Sequence, residues 1–301
     1  MRRTDLIRLL SLAAIWGASF LFMRIIAPVL GPLWTAEIRV GVAGTVMLLF
    51  LLATKMRMDF GRNWKVYLVL GILNSALPFS FFAYAAMTLP AGYSAVVNAT
   101  SPLWGALVGA AVLKEALTAR KIAGLFAGIA GVALLVRLGP AQFSGQLLLA
   151  AGACLAAACC YGMAGAYAKL KSAGIAAPML ATGSQLGAAL VILPALPLVP
   201  MHSEPTPQVL LFATLLALLC TAVAYFIYFR LMADIGPTKT LTVTFLIPMF
   251  ALLWGGIFLH EGFNLNSLIG CALVGLATWL VLFGAKPAPV AAPQRASSEC
   301  G

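Results

Sequence analysis

Ten stretches of the chain, roughly 6–27, 33–54, 66–88, 92–113, 121–137, 147–170, 178–199, 208–231, 238–259 and 266–284, approach or exceed the about 20 mainly apolar residues that a membrane-spanning helix needs. Little chain is left between them. In hydrocarbon the backbone must satisfy its own N–H and C=O groups, which restricts spans to helices or closed barrels. These runs are almost uniformly apolar, with Gly and Ala throughout, and lack the alternation of a barrel strand. The fold class is therefore read as an all-α polytopic membrane protein of ten transmembrane helices. Composition agrees: 62% of residues are hydrophobic, 9% are charged and the mean hydropathy is +1.02, more than one soluble core of this size can hide.

The start, MRRTDLIRLLSLAAIWGA, has the positive flank and apolar run of a signal peptide, but the run is long and further spans follow, so it is read as an uncleaved first span. The tail 286–301, rich in Pro and Ala, is expected to be disordered. A net charge of +11 would suggest nucleic acid as the partner of a soluble protein. With the N-terminus inside, however, sixteen of the 19 Lys and Arg fall on the cytoplasmic side and only Arg137 on the other, which leaves Arg24 and Arg39 within spans. This is a positive-inside pattern with the lipid bilayer as the surrounding partner, and no nucleic acid is expected. Cys154, Cys159, Cys160, Cys220 and Cys271 lie in spans with no C-x-x-C pair, and are read as small packing residues.

Sliding the chain by 146 residues aligns VNATSPLWGALVGAAVLKEALTARKIAG (97–124) with VTFLIPMFALLWGGIFLHEGFNLNSLIG (243–270) without a gap, Pro102 meeting Pro248 and Glu115 meeting Glu261. At an offset of 145, Trp16-Gly17 faces Tyr161-Gly162 and Arg24 faces Lys169. Residues 1–140 and 141–285 are thus expected to be two five-helix repeats. Five is odd, so the second must cross in the opposite sense, placing both termini in the cytoplasm, Glu115 on the cytoplasmic side and Glu261 outside. Inverted repeats indicate a carrier that opens alternately to each side, with its site near the midplane.

At this point IWGASFLFMR (15–24), the Arg of EIRVGVAG (37–44), PLWGALVGAAVLKEALTARKIAG (102–124) and PMFALLWGGIFLHEG (248–262) resemble the EamA family of the drug/metabolite transporter superfamily, over about residues 6 to 284. The resemblance implies ten helices in two inverted repeats and a central cavity used to move amino acids, other metabolites or drugs, commonly outward. Glu37, two residues before the family's Arg, departs from that pattern.

Helical periodicity groups the polar residues. Ser94, Asn98, Ser101 and Gly105 fall within about 60° of one another, and Ser94 and Asn98 map onto Thr240 and Thr244. The third span puts Ser75, Phe79 and Phe82 on one face, with Thr221, Tyr225 and Tyr228 as repeat mates. With Trp16 and Phe20 of the first span, and Tyr161 as counterpart of Trp16, these describe a cavity walled by rings and lined with hydroxyls. The competing account is that small polar residues let membrane helices pack closely, and that aromatic residues near span ends anchor at the interface. Pro78, Pro102 and Pro248 each remove a backbone donor and are expected to kink their helices.

Ionisable residues within spans are few. Arg24 and Glu37 lie about six residues either side of the turn at Leu30–Gly31, about 9 Å along the axis, and are expected to form a structural ion pair. Arg39, about 200° around the helix from Glu37, needs another partner, either a different helix or a substrate carboxylate; its repeat counterpart is Gln185. Glu37 is also the candidate for proton coupling. Glu115 and Glu261 end their helices, with Thr118 and with Asn264 or Asn266 positioned to cap the next one, and are read as structural.

The remaining acids lie in flanks and loops, no GxSG follows a span, His260-Glu261 has no second His, and no GxxxxGK[ST] is present. Enzyme chemistry, metal and cofactors are not expected. The reading is a secondary transporter of the cell inner membrane that moves small amphipathic metabolites, amino acids foremost, outward by alternating access. The alternatives are a multidrug or aromatic-cation exporter coupled to protons and a non-transport scaffold; oligomeric state is left open.

Overall fold

A computed structural model describes residues 2–138, 144–262 and 264–283 of the chain; the tail 286–301 lies outside the described residues. The apolar stretches form helices because their backbone then satisfies itself without water. The first half runs α1 (Arg3–Leu30), α2 (Pro32–Ala53), α3 (Phe60–Gly71), a π turn at Ile72–Ala76, α4 (Leu77–Ala86), α5 (Ala91–Asn98), α6 (Ser101–Leu113) and α7 (Ala119–Leu138). The second runs α8 (Gly145–Lys171), α9 (Ala177–Ile192), α10 (Pro207–Ala217), a π turn at Leu218–Val223, α11 (Ala224–Ile235), α12 (Pro237–Thr240), α13 (Val243–Leu259) and α14 (Leu265–Phe283).

The ten expected spans correspond to α1, α2, α3 with α4, α5 with α6, α7, α8, α9, α10 with α11, α12 with α13, and α14. Among the described residues, seven of these stretches are long and apolar enough to cross a membrane by themselves, and Val243–Leu259 and Leu265–Val281 are shorter apolar helices. Two of the remaining stretches carry a further feature. Arg120 and Lys121 occupy the first turn of α7, and the ninth span is interrupted between α12 and α13.

The halves interlock rather than sit side by side. α1 packs on α13 and α6 on α8, which are equivalent pairs under the repeat; α2 and α3 pack on α9, and α7 on α14. The repeat extends to irregular backbone. The π turn at Ile72–Ala76 returns at Leu218–Val223, an offset of 146. In the first, Leu77 N–H bonds Ile72 O, and Pro78 next to it has no N–H to give. In the second, where Ala224 replaces the proline, the Thr221 hydroxyl donates to Leu216 O at 3.2 Å. The wide turn therefore survives without its proline.

The helix ends repeat as well. α6 and α13 both stop at a non-glycine residue in the left-handed region, Lys114 (φ 56°) and His260 (φ 53°), and the next residue's N–H returns to Gly109 O or Gly255 O. Each time a glutamate, Glu115 or Glu261, folds back over that glycine. The expected kinks are more varied. Pro102 sits in the first turn of α6, directly after the chain breaks at Ala99–Thr100, and Pro78 opens α4 behind the π turn. Only Pro248 of the three lies inside a helix, while the break in that span falls earlier, at Leu241–Thr242.

Close approach of α3 and α9 depends on glycine. A Cβ at Gly71 would lie 2.6 Å from Ala188 N and 2.8 Å from Ser184 O, and one at Gly187 would lie 2.6 Å from Tyr67 O. Gly71→Val is expected to force these helices apart and cost about 1–3 kcal/mol, seen as a lower thermal midpoint in detergent. Gly105→Ala, where a Cβ meets nothing within 4 Å, is expected to leave the midpoint unchanged or slightly raised.

Candidate functional site

Where the halves meet, they enclose a cavity of about 930 Å³. Its floor carries Trp16, Phe20 and Met23 of α1, Arg39 of α2, Phe79 and Phe82 of α4, and Tyr161 of α8. Tyr225, Tyr228 and Phe229 of α11 complete one wall, and Asn98, Ser101 and Thr244 bring polar groups from the interrupted spans. The rings touch one another: Trp16 and Tyr228 have centroids 5.5 Å apart, Phe20 and Phe82 meet edge to face at 5.5 Å, and Phe82 stacks on Tyr161 at 6.2 Å. Such a wall presents large, stiff apolar area with a few polar points.

The cavity opens at the end where α1 begins, since Glu115, Lys121 and Lys169 lie on its wall there. The far end is shut. Arg24 donates to Ala86 O at 2.7 Å and Met87 O at 2.9 Å, and lies 3.5 Å from Glu261. Glu261 also accepts from the Ala91 N–H, the start of α5, at 2.9 Å. Beside this knot the connection after α9 covers the α1–α2 turn: Trp34 Nε1 donates to Val199 O at 2.9 Å, the Ser203 N–H to Val29 O at 3.1 Å, and the His202 ring lies over Gly31.

These contacts correct the expected Arg24–Glu37 pair. The two residues are at equal depth within the hairpin, but Arg24 turns toward α4 and α13, where two carbonyls and a carboxylate are available. Glu37 instead lies along its own helix against Gly41, with one carboxylate oxygen buried and unpartnered, and is not on the cavity wall. Glu261 likewise serves the start of α5 rather than the helix that comes after it, which Asn264 caps through Ser267 N–H at 2.9 Å. Glu115 bonds Lys169 at 2.7 Å and lies 3.7 Å from Lys121. Because Lys169 is the repeat mate of Arg24, the same ion pair is present at both ends.

Electrostatically the two ends differ. The Lys169 hydrogen bond holds the Glu115 carboxyl below the ordinary carboxylate range. Burial pushes the Glu261 carboxyl up, against the pull of the Ala91 N–H and Arg24.

At mid-depth a second symmetric pair is present. Arg39 Nε donates to Thr221 Oγ1 at 3.0 Å, and Gln185 Nε2 donates to Ser75 Oγ at 3.1 Å. Each repeat's second helix thus reaches the other repeat's π turn. Arg39 is only 6% exposed, stands 3.8 Å over the Phe79 ring, and its Nη1 lies 3.7 Å from Met23 Sδ. Among the described residues no carboxylate pairs with it.

Several expected wall residues lie elsewhere. Ser75 and Gln185 bond each other away from the cavity wall. Ser94 is buried against Cys154, and Thr240 bonds Gly236 O within its own turn at 2.9 Å. Sequence reasoning missed Asn74, Ser19 and Met23 on the wall. Asn74, the one amide of its span and the neighbour of Ser75, was the available signal; it donates to the Tyr225 hydroxyl at 3.4 Å.

Ten apolar helical segments in two inverted halves around a central cavity define a multi-pass membrane carrier. The EamA-like transporter family profile matches residues 5–137 and 148–283, and the chain belongs to that family, within the drug/metabolite transporter superfamily. Protein PecM of Dickeya dadantii is 30% identical over 276 residues, covering 89% of this chain and 88% of PecM. A WAT1-related chloroplastic protein of Arabidopsis thaliana is 28% identical over 290 residues, covering 89% and 67%. The uncharacterized transporter YvbV of Bacillus subtilis is 24% identical over 291 residues, covering 93% and 92%. One solved protein structure superposes with a TM-score of 0.65 at 17% identity, over 96% of this chain and 100% of that one, and shares the fold.

The two ion pairs separate by burial. The Glu261 side chain is 16% exposed and its loss leaves the Arg24 charge without a counter-ion and the Ala91 N–H without its acceptor, whereas Glu115 and Lys169 are 37% and 66% exposed. Glu261→Ala is expected to cost about 3 kcal/mol and Glu115→Ala less than about 1 kcal/mol, compared by thermal unfolding in one detergent.

Proposed function

We propose that the protein is a secondary transporter of the cell inner membrane that moves small amphipathic metabolites, amino acids foremost, outward by alternating access of its two repeats. The observation that carries this is the single-ended cavity between the repeats, ring-walled, with a buried guanidinium at its floor and the far end tied shut. A solute with an apolar body and a negative group matches both features. A simple aromatic cation matches only the rings, and would face Arg39 with no acid beside it; this disfavours the cation exporter. With the N-terminus in the cytoplasm, the open end loads from inside, as export requires.

Purified protein in liposomes is expected to exchange neutral amino acids saturably, with no competition from quaternary ammonium dyes. Absence of saturable flux, or competition by the dyes, overturns the reading. Trp16→Ala, which removes one wall and its contact with Tyr228, is expected to weaken apparent affinity by about 1–2 kcal/mol, roughly tenfold.

For proton coupling we propose Glu37, whose unpartnered buried oxygen gives a proton a place to bind. Glu37→Gln is expected to abolish uptake driven by a pH gradient while solute–solute exchange persists. Equal loss of both activities, or of neither, argues against coupling at this residue.

A further inference from the structure

The two midplane bonds are equivalent in position and unequal in charge. Gln185 holds Ser75 with a neutral amide, and Arg39 holds Thr221 with a guanidinium. A guanidinium carries five N–H donors in a planar fork. Here Nε serves Thr221, Nη1 approaches a sulfur at 3.7 Å, and the rest of the group stands at the cavity wall over Phe79. A cation this deep in a membrane protein pairs with an anion wherever one can reach it, yet no described carboxylate does. Thr221, for its part, keeps one partner without Arg39, because its hydroxyl also donates to Leu216 O at 3.2 Å.

We infer that Arg39 is the receptor for the substrate's anionic group, and that an anion bound there draws the guanidinium off Thr221 and so frees the second repeat's π turn while the Gln185–Ser75 bond stays made. This rests on the transport reading and names the chemical class it takes: small monoanions or zwitterions with an apolar body. Planar, bidentate pairing with a carboxylate is stronger than one bond to a neutral hydroxyl, so the exchange runs downhill. Binding then loosens one of these two symmetry-related hydrogen bonds between the repeats, on one side only. Phe79 keeps the guanidinium facing the cavity in both states.

Gln185 supplies the design of the test, because it shows that an amide at this position makes the bond without the charge. Arg39→Gln is expected to fold and keep a bond to Thr221, as its twin does with Ser75. Thr221→Val removes the competing acceptor and leaves the charge.

The probes are 3-phenylpropionate, L-phenylalanine and phenethylamine, which share one ring and differ in charge, with binding read by thermal shift and calorimetry on purified protein. Wild type is expected to bind the two carboxylates and not the amine. Arg39→Gln is expected to lose carboxylate binding at least tenfold, and Thr221→Val to tighten it several-fold. Hydrogen exchange across 216–224 is expected to rise with 3-phenylpropionate while 72–77 stays unchanged.

Wild-type protein that binds neither carboxylate overturns the substrate class proposed for the transporter as well. Carboxylate binding that survives in Arg39→Gln, or weakens in Thr221→Val, overturns the role of Arg39 alone. If Arg39→Gln does not fold, the direction of the Thr221→Val change decides the matter.

Discussion

Water is missing where most of this chain resides, so each peptide group and each charge within a span must find its partner in the protein. Ordinary helix meets that demand, and departures from helix are tolerated only where something else does. The departures here sit in such places. The second π turn is held by its own threonine hydroxyl and by Arg39 across the midplane, and the first by the bond from Gln185 to Ser75. The break after α5 is bridged by Thr100 and Ser101, which bond back to Val97 O and Asn98 O at 2.7 and 2.6 Å, and Thr278 of α14 reaches Ala99 O at 2.7 Å. The two π turns and the break after α5 each place a residue on the cavity wall, Asn74, Cys220 and Ala99, whereas the 3-10 segment Leu193–Leu198 lies away from it.

Wide turns also explain why periodicity located some wall residues and misplaced others. A π turn holds one residue more than an α turn, so the helix beyond it is rotated by about 100° relative to the helix before it. Ser75 and Phe79 share a face on a regular helix. Across the π turn they part, Ser75 pointing to Gln185 and Phe79 to the cavity. The ten segments, the repeat and the ring-lined wall were legible because they depend on hydrophobic spacing and self-similarity. The partner of Arg24 was not, because depth in a hairpin constrains only one coordinate and α13 arrives from the opposite half of the chain. Ser94 and Thr240 failed for a related reason: a stripe defines a face, and the neighbour that covers the face is a tertiary fact.

The repeat preserves devices more faithfully than it preserves residues. Left-handed ends at Lys114 and His260, folded-back glutamates, and midplane bonds from the second helix of each half all recur at an offset of 146. The chemistry is where the copies differ: Arg39 against Gln185, Phe79 against Tyr225, Arg24 against Lys169. The backbone scaffold is nearly symmetric, and the substituted side chains set how firmly each end is held in this structure.

The far end and the open end differ in one backbone atom. Glu261 closes the far end by accepting the N–H of Ala91 at the start of α5 while Arg24 neutralises it. The position equivalent to Ala91, 146 residues on, is Pro237, which has no N–H. Glu115 has the matching ion pair in Lys169 but a proline where Ala91 supplies its donor, and it stands at the rim of the open cavity with its lysines. The Ala91 N–H contact that ties the far end therefore has no identical counterpart at the rim. The pairs at the N-terminal end are also the more exposed, Glu115 at 37% and Lys169 at 66% against 16% for Glu261, so they contribute less.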